Sequence, residues 1–255
     1  KYNETLNGVQ LYEIPQVHFG KYDKIGRRKD QRGLWDRAIP LDPYKIPGKP
    51  ESGLLPLIEE GELGTIGEAA PGVQAYCFRL CVTDQPENRI PIAPPANYDP
   101  ARYEIVARYI AACKKAGDDM DLRWFTKHDA LPNGKFDFNT AYFGLNYVGG
   151  NKGYSEASHT ERQQIIKEHE NYARGLFHFL KTDERVPQKV RDQVSRYGLC
   201  KDEFQDNGGW PHQLYIRESR RMVSDLVMTE HFCRHQVVAP KSVGLASYGI
   251  DIHEI

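Results

Sequence analysis

Proline and glycine are so dense between residues 40 and 72 that neither a long helix nor a long strand can form there. Proline lacks a backbone donor and glycine favours turns, so each interrupts regular structure. The residues concerned are Pro40, Pro43, Pro47, Pro50, Pro56, Pro71, Gly48, Gly53, Gly61, Gly64, Gly67 and Gly72. We therefore expect residues 1–72 to be loop-rich, and regular elements to come from the remainder.

Two features of the remainder predict β-structure, a strand and a hairpin turn. VQAYCFRLCVT at 73–83 alternates in the manner of a strand, and both of its faces are largely apolar. This predicts a strand inside a sheet, in which Arg79 needs a partner. Asn133-Gly134 lies between segments that contain phenylalanine, which predicts the turn of a β-hairpin.

Four helices are predicted, because apolar residues recur at helical spacing. They cover about 99–117, 158–180, 187–197 and 213–232. Ser158 and Glu161 have the spacing of a capping box at the start of the second helix. Helices combined with strands predict an α+β fold, a mixed sheet with several helices.

Charge and hydropathy exclude some classes of function. The 34 basic and 35 acidic residues give a net charge of −1, whereas nucleic-acid binders normally carry a basic excess. No apolar run approaches the roughly 18 residues that a membrane helix needs, and no basic-then-apolar leader follows Lys1. We expect a soluble protein without nucleic-acid or membrane partners, with the cytoplasm and the periplasm both open.

The cysteines and histidines do not predict a metal site. The five cysteines are Cys77, Cys81, Cys113, Cys200 and Cys233, and we expect them to be reduced and mostly buried. His231 and His235 would share one face of a helix, but Cys233 between them would point elsewhere. The glycines at 61, 64 and 67 are spaced GxxGxxG rather than GxGxxG, so no phosphate loop is predicted.

The segment DNGGWPHQLYIRESRR at 206–221 has the most residues with potential chemistry. Its glycines indicate a turn, followed by an aromatic residue and a histidine at a predicted helix start, where the dipole favours anions. Two interpretations stay open at this point. The segment is either a ligand site with an exposed Trp210, or a loop that caps the helix while Trp210 fills the core.

A second candidate lies in YGIDIH at 248–253. On a strand, Asp251 and His253 project from the same face, and a carboxylate that orients an imidazole is a plausible general-base pair. The alternative is a salt-linked strand surface without catalysis.

Several long motifs resemble a bacterial family of FAD-dependent oxidoreductases. The two most specific are DNGGWPHQLYIRESRRMVSDLVMTEHFC at 206–233 and SVGLASYGIDIHE at 242–254. Further similar segments are YNETLNGVQ at 2–10, DPYKIPGKPESGLLP at 42–56, VQAYCFRLCVTDQPENRIPI at 73–92, YDPARYE at 98–104 and FGLNYVGGN at 143–151. The last segment departs from the family pattern at Ala246 and Gly249.

The resemblance implies an enzyme that uses FAD, with the GxGxxG flavin-binding part before this region and another flavin-contacting segment after it. Residues 1–255 then form a single substrate-side domain, an internal fragment of a longer flavoenzyme that is expected to be inactive alone. Its expected partners are the flavin-binding part of the same polypeptide and a small organic or sugar-like substrate.

Residue type and clustering suggest the roles within such an enzyme. The candidates for the catalytic base are His212, Asp251 and His253. The residues expected to bind substrate are Trp210, Tyr215, Arg217, Arg220 and Arg221, and those expected to contact the cofactor are Asn207, Gly208 and Gly209. The alternatives are a carbohydrate- or partner-binding module without flavin, and a cofactor-free polysaccharide lyase or hydrolase.

Overall fold

A computed structural model describes residues 24–25, 39–58, 73–217, 225–226, 230–233 and 235–245. The strands are β1 (Lys24–Ile25), β2 (Ile39–Pro40), β3 (Leu80–Thr83), β4 (Arg89–Ile90), β5 (Lys127–Leu131), β6 (Lys135–Asn139) and β7 (Gly198–Cys200). The α-helices are α1 (Glu104–Lys115), α2 (His159–Thr182), α3 (Gln188–Arg196) and α4 (Glu230–Cys233). The α+β prediction is therefore confirmed.

Short single-turn helices connect these elements. Among the described residues, 3₁₀ turns lie at Pro50–Ser52, Pro86–Asn88, Pro100–Tyr103, Leu122–Trp124, Pro132–Gly134 and Gln205–Asn207. A π turn covers Ala141–Leu145. Among the described helices, none combines the length and the apolar character that crossing a membrane requires.

The main sheet has five antiparallel strands in the order β4-β7-β3-β6-β5. Leu80 of β3 lies opposite Phe138, and Val82 lies opposite both Phe136 and Leu199. Because side chains alternate along a strand, this register places one apolar row of β3 in the core, and Leu80 and Val82 are fully buried. β3 is central, as its sequence predicts.

The strand predicted over 73–83 is shorter than expected. Only Leu80–Thr83 pairs continuously, whereas Tyr76 and Cys77 form isolated antiparallel bridges with Tyr147 and Tyr215. The apolar alternation continues through this part of the chain, but its neighbours there are loop segments rather than strands. A segment forms a regular strand only where a neighbouring strand pairs with it, and the alternation within one segment does not predict that neighbour.

The Asn133-Gly134 hairpin turn is confirmed between β5 and β6. Asn133 has φ 62° and Gly134 has φ 67°, both in the left-handed region. Glycine reaches this region without a steric penalty, and asparagine tolerates it better than most residues do. The turn sequence therefore sets the register of the hairpin, with Leu131 opposite Lys135.

The first three helices begin close to where the sequence predicts. Asp99 caps the turn before α1 by accepting a bond from the Ala101 amide, and Gly117 follows α1 with φ 79°. Ser158 and Glu161 form the predicted capping box at the start of α2, each accepting from the backbone of the other. These local signals stabilise helix ends without tertiary contacts.

One hydrophobic core joins the sheet to α1 and α2. Phe138 of β6 stacks on Phe177 of α2 with ring centroids 6.3 Å apart. The Tyr103 hydroxyl donates to the Tyr172 carbonyl at 2.9 Å, and a Cβ at Gly175 would lie only 2.1 Å from that hydroxyl oxygen. Gly175 therefore allows α2 to approach the turn before α1 closely.

The helix predicted over 213–232 is wrong for residues 213–217. Tyr215 lies in extended backbone there, and its amide donates to the Cys77 carbonyl at 2.9 Å. In the described part of the predicted range, helix is present only from Glu230, in α4. Residues 218–224 and 227–229 lie outside the described residues.

Candidate functional site

A tight turn at Phe204–Trp210 leads into the segment with the most predicted site residues. Phe204, Gly208 and Gly209 have φ values of 46°, 63° and 81°. The Asn207 side-chain amide donates to the Trp210 carbonyl at 2.9 Å and closes the turn. These left-handed residues reverse the chain after β7 and direct Trp210 towards the core.

The glycines of this turn serve packing and chain reversal. A Cβ on Gly209 would lie 3.1 Å from the Cys200 carbonyl oxygen and from the Leu199 Cβ, whereas one on Gly208 would meet open space. The amides of Gly209 and Trp210 already donate to carbonyls within the turn.

This hydrogen bonding bears on the predicted contact with FAD. A phosphate cradle uses several free backbone amides that converge on the anion. The amides of Asn207, Gly209 and Trp210 all donate to carbonyls within the turn, so the turn as folded does not fit the diphosphate of FAD. We assign no reaction step through the flavin at this turn, and cofactor contact by Asn207, Gly208 and Gly209 stays a prediction.

Trp210 is a core residue in this structure. Its side chain is 3 % exposed, and its ring meets Phe78 edge to face at 5.3 Å. The Arg174 guanidinium of α2 lies over the indole, 4.5 Å from the centroid. The indole Nε1 is buried and has no hydrogen-bond partner within the described ranges. Of the two interpretations of this segment, the structure shows Trp210 filling the core.

His212 lies on the surface and pairs with a carboxylate that the sequence prediction omitted. Its side chain is 54 % exposed, and Nε2 is 3.1 Å from Oδ1 of Asp206. The Phe204 ring meets the imidazole edge to face at 5.5 Å. Asp206 and His212 are six residues apart, so only the reversal at the turn brings them together. The predicted pair, Asp251 and His253, lies outside the described residues.

Tyr215 is the exposed aromatic residue of the segment. Its bridge to Cys77 fixes its backbone beside the extended chain that leads into β3. The side chain is 43 % exposed, and two guanidinium groups lie over its ring, those of Arg79 at 5.5 Å and Arg217 at 5.3 Å from the centroid. Such cation–π contacts orient an exposed ring.

Both arginines are held by other groups. Arg217 donates from Nε to the Ala75 carbonyl at 2.7 Å, and from Nη2 to Asn146 Oδ1 at 3.1 Å. Within the part of the chain that the structure describes, Arg217 contacts no carboxylate. Arg79 instead pairs with Asp137 of β6, whose hydrogen bond raises the pKa of Arg79 above its ordinary value. Arg79 thus has its partner, as predicted.

A buried amide lies close to this pair in the sheet. Asn139 belongs to the same row of β6 as Asp137, since they are two residues apart on one strand. It is buried, and its Nδ2 has no hydrogen-bond partner among the described residues. The side-chain amide of Asn139 is therefore an unpaired donor, among the described residues, on the face of the sheet that also carries Asp137.

We use the name Tyr215 site for Tyr215, Arg79, Arg217, Asp137 and Asn146. Two of the predicted substrate residues, Tyr215 and Arg217, meet there, whereas Arg220 and Arg221 lie outside the described residues. Sequence reasoning did not place the other three members in a site. Arg79 could have been found, because an arginine in an apolar strand needs a specific reason.

No group of three or more metal-ligating side chains occurs in the described ranges. Of the HxCxH motif, the structure shows His231 with Nδ1 at 2.6 Å from Gln236 Oε1.

Comparison with known proteins gives one family. The family model described as FAD dependent oxidoreductase matches residues 12–255. Neither the curated proteins nor the solved structures gave a match. Because the match extends over nearly the whole sequence, the resemblance predicted from the motifs is confirmed: the chain belongs to the FAD-dependent oxidoreductase family.

Proposed function

We propose that this chain is the substrate-side region of its flavoenzyme, and that the Tyr215 site binds a small organic acid with a ring. The observation that carries the proposal is the exposed Tyr215 ring with two anchored guanidinium groups over it. Members of the family use FAD, which supplies the redox chemistry when it is bound. The residues of this chain would bind and orient the substrate.

Charge at the site favours an acid over a neutral compound. Asp137 compensates Arg79, whereas the described contacts of Arg217 are to a carbonyl, an amide oxygen and a thiol. The net charge of these three residues is therefore positive. The described hydrogen bonds of Arg217 use Nε and Nη2, so Nη1 is the nitrogen left to donate to a substrate carboxylate in a charge-assisted hydrogen bond.

The aromatic ring favours a substrate with a flat or ring-shaped face. Tyrosine combines a large apolar surface with a hydroxyl and loses little entropy on binding. The two arginines hold the Tyr215 ring in place, so its exposed part can meet a substrate with little reorganisation. A sugar acid such as glucuronate meets both requirements.

His212 is the described candidate for a proton acceptor. If Nε2–H donates to Asp206, the lone pair lies on Nδ1, and that atom would take the proton from substrate. A carboxylate that orients an imidazole also stabilises the imidazolium that forms. Asp251 and His253 remain candidates for the same role, and the flavin-binding part of the same polypeptide remains the proposed partner.

Carbohydrate binding without flavin is less well supported. That alternative uses Trp210 and the tyrosine-rich loops as stacking platforms, and Trp210 is buried against Phe78. A cofactor-free lyase or hydrolase has no observation of its own in its favour. Both alternatives nevertheless give distinct outcomes in the test below.

The test measures the binding of glucuronate and of glucose to the FAD-loaded protein by calorimetry. We expect glucuronate to bind at least about tenfold more tightly than glucose, because only the acid uses Arg217. Arg217→Ala should weaken glucuronate binding about 10- to 100-fold, since a hydrogen bond to a charged group contributes about 1.5–3 kcal/mol. Arg217→Lys should fall between the two, because lysine keeps the charge but cannot reproduce the bonds to Ala75 and Asn146 that position the guanidinium.

Arg123→Ala is the matched control. Arg123 is exposed, pairs with Asp121 and is not one of the residues of the Tyr215 site. The Arg123→Ala variant should bind glucuronate as tightly as the wild type does. Equal affinities for glucose and glucuronate would support a neutral-sugar module instead. Turnover of a polysaccharide by the flavin-free protein would support the lyase or hydrolase.

A further inference from the structure

Two cysteines face each other across neighbouring strands of the main sheet. Val82 pairs with Leu199 and Thr83 with Gly198, so the next position of the register sets Cys81 opposite Cys200. Their Sγ atoms are 3.8 Å apart. The two residues are far apart in sequence, and only the antiparallel pairing of β3 with β7 brings them together.

We infer that Cys81 and Cys200 form a dithiol that a hydroperoxide oxidises to an intramolecular disulfide. Directly opposed residues of an antiparallel pair have Cα atoms about 4.5–5.5 Å apart, which lies within the range of about 4.4–6.8 Å found in disulfides. Rotation about the two Cα–Cβ bonds can therefore close the gap between the sulfurs while the strands stay in register.

The surroundings assign the order of reaction. Cys81 is partly exposed, whereas Cys200 is buried. Burial raises the pKa of Cys200 to about 12. Burial also raises the pKa of Cys81, but the hydrogen bond from the Cys200 thiol and the charge of Lys135 act in the opposite direction. Cys81 is thus the thiol that reaches solvent and ionises first, and Cys200 is the resolving thiol.

The charges around the pair are mixed. Lys135 forms ion pairs with Asp202 and Glu203, and all three act on Cys81. The acidic pair opposes ionisation of Cys81, so we expect the thiolate, and with it the oxidation rate, to increase as the pH rises above neutrality.

The reaction balances in two steps. The Cys81 thiolate attacks the O–O bond of hydrogen peroxide, which gives a sulfenic acid and hydroxide, and hydroxide takes a proton to become water. The Cys200 thiol then displaces water from the sulfenic acid and forms the S–S bond. Overall, two thiols lose two electrons and two protons, and one peroxide is reduced to two molecules of water.

The experiment is a thiol count and a peptide map of the FAD-loaded protein before and after one equivalent of hydrogen peroxide. We expect two thiols to disappear, a linked peptide containing Cys81 and Cys200, and recovery of both thiols with dithiothreitol. Cys81→Ser and Cys200→Ser should each abolish the linked peptide. Cys113→Ser, at a buried cysteine of α1, is the matched control and should still form it.

A second probe does not depend on oxidation. Phenylarsine oxide bridges two neighbouring thiols, so it should block Cys81 and Cys200 together in the native protein and neither alone in a single-serine variant. The inference is overturned if peroxide takes Cys81 to a sulfinic acid without linkage, if the linked peptides involve other cysteines, or if the arsenical leaves both thiols free.

Discussion

Helix α2 and the segment 204–217 are two regions for which the sequence predicts a helix start, and only α2 behaves as predicted. In α2 the capping box of Ser158 and Glu161 forms, and the apolar face packs on the core. In the other region Tyr215 pairs with Cys77, and residues 213–217 are not helical. At Tyr215 the bridge to the extended segment before β3 thus overrides the helical periodicity, because it takes up the backbone amide that a helix would use.

The largest expected effect is on the free energy of unfolding, at Trp210 in the segment 204–217. Trp210→Ala should lower the free energy of unfolding by about 3–5 kcal/mol, because it leaves a cavity against Phe78 and Arg174. Trp210→Phe keeps an aromatic ring there and should cost less. Chemical denaturation measures both. Equal, small losses for both variants would mean that Trp210 does not fill the core.

The next effect concerns a buried histidine within α2. Burial lowers the pKa of His169 to about 4, and its Nδ1 is 2.8 Å from the Ile165 carbonyl oxygen, to which the neutral ring donates. The unfolded chain binds the proton more tightly, so this contribution to stability is lost as the pH falls from about 6.5 through about 4. The loss amounts to about 3 kcal/mol, from the difference between the two pKa values.

His169→Gln tests this loss, because glutamine does not titrate. Over that pH range the stability of the variant should decline less steeply than that of the wild type, as measured by denaturation at each pH. His159→Gln, at the exposed start of the same helix, is the control and should retain the wild-type slope. Parallel slopes for wild type and His169→Gln would contradict the prediction.

A smaller effect separates the two glycines of the turn. Gly209→Ala should cost about 2 kcal/mol, because the backbone has positive φ and the new Cβ meets Leu199 and the Cys200 carbonyl. Gly208→Ala also has positive φ but meets open space, so it should cost about 1 kcal/mol. Thermal or urea unfolding compares them, and the reverse order would show that β7 does not press on Gly209.

The smallest effect tests the local signal of α2. Ser158→Ala removes the side chain that accepts from the Glu161 amide and should cost about 1 kcal/mol. Ser158→Asp should restore most of this loss, since aspartate is also a good N-cap residue. Urea unfolding measures both. If Ser158→Ala cost nothing, tertiary packing rather than the cap would hold the start of α2.

Much of the fold could be predicted because its signals are local. The Asn133-Gly134 turn and the start of α1 at Asp99 depend on residues adjacent in the chain. The candidate site was less predictable. Tyr215 and Arg217 were foreseen by residue type, but Arg79, Asp137 and Asn146 join them only through sheet pairing and chain reversal.

The sequence by itself determined the α+β class, the helix caps, the hairpin turn and, through its long motifs, the family. Tertiary structure alone decided that Trp210 is buried, that Asp206 pairs with His212, and that Cys81 faces Cys200. The physical reason is the separation in sequence between the residues that interact. Caps and turns are satisfied within a few residues, whereas burial and pairing across a sheet depend on segments that the chain brings together only when it folds.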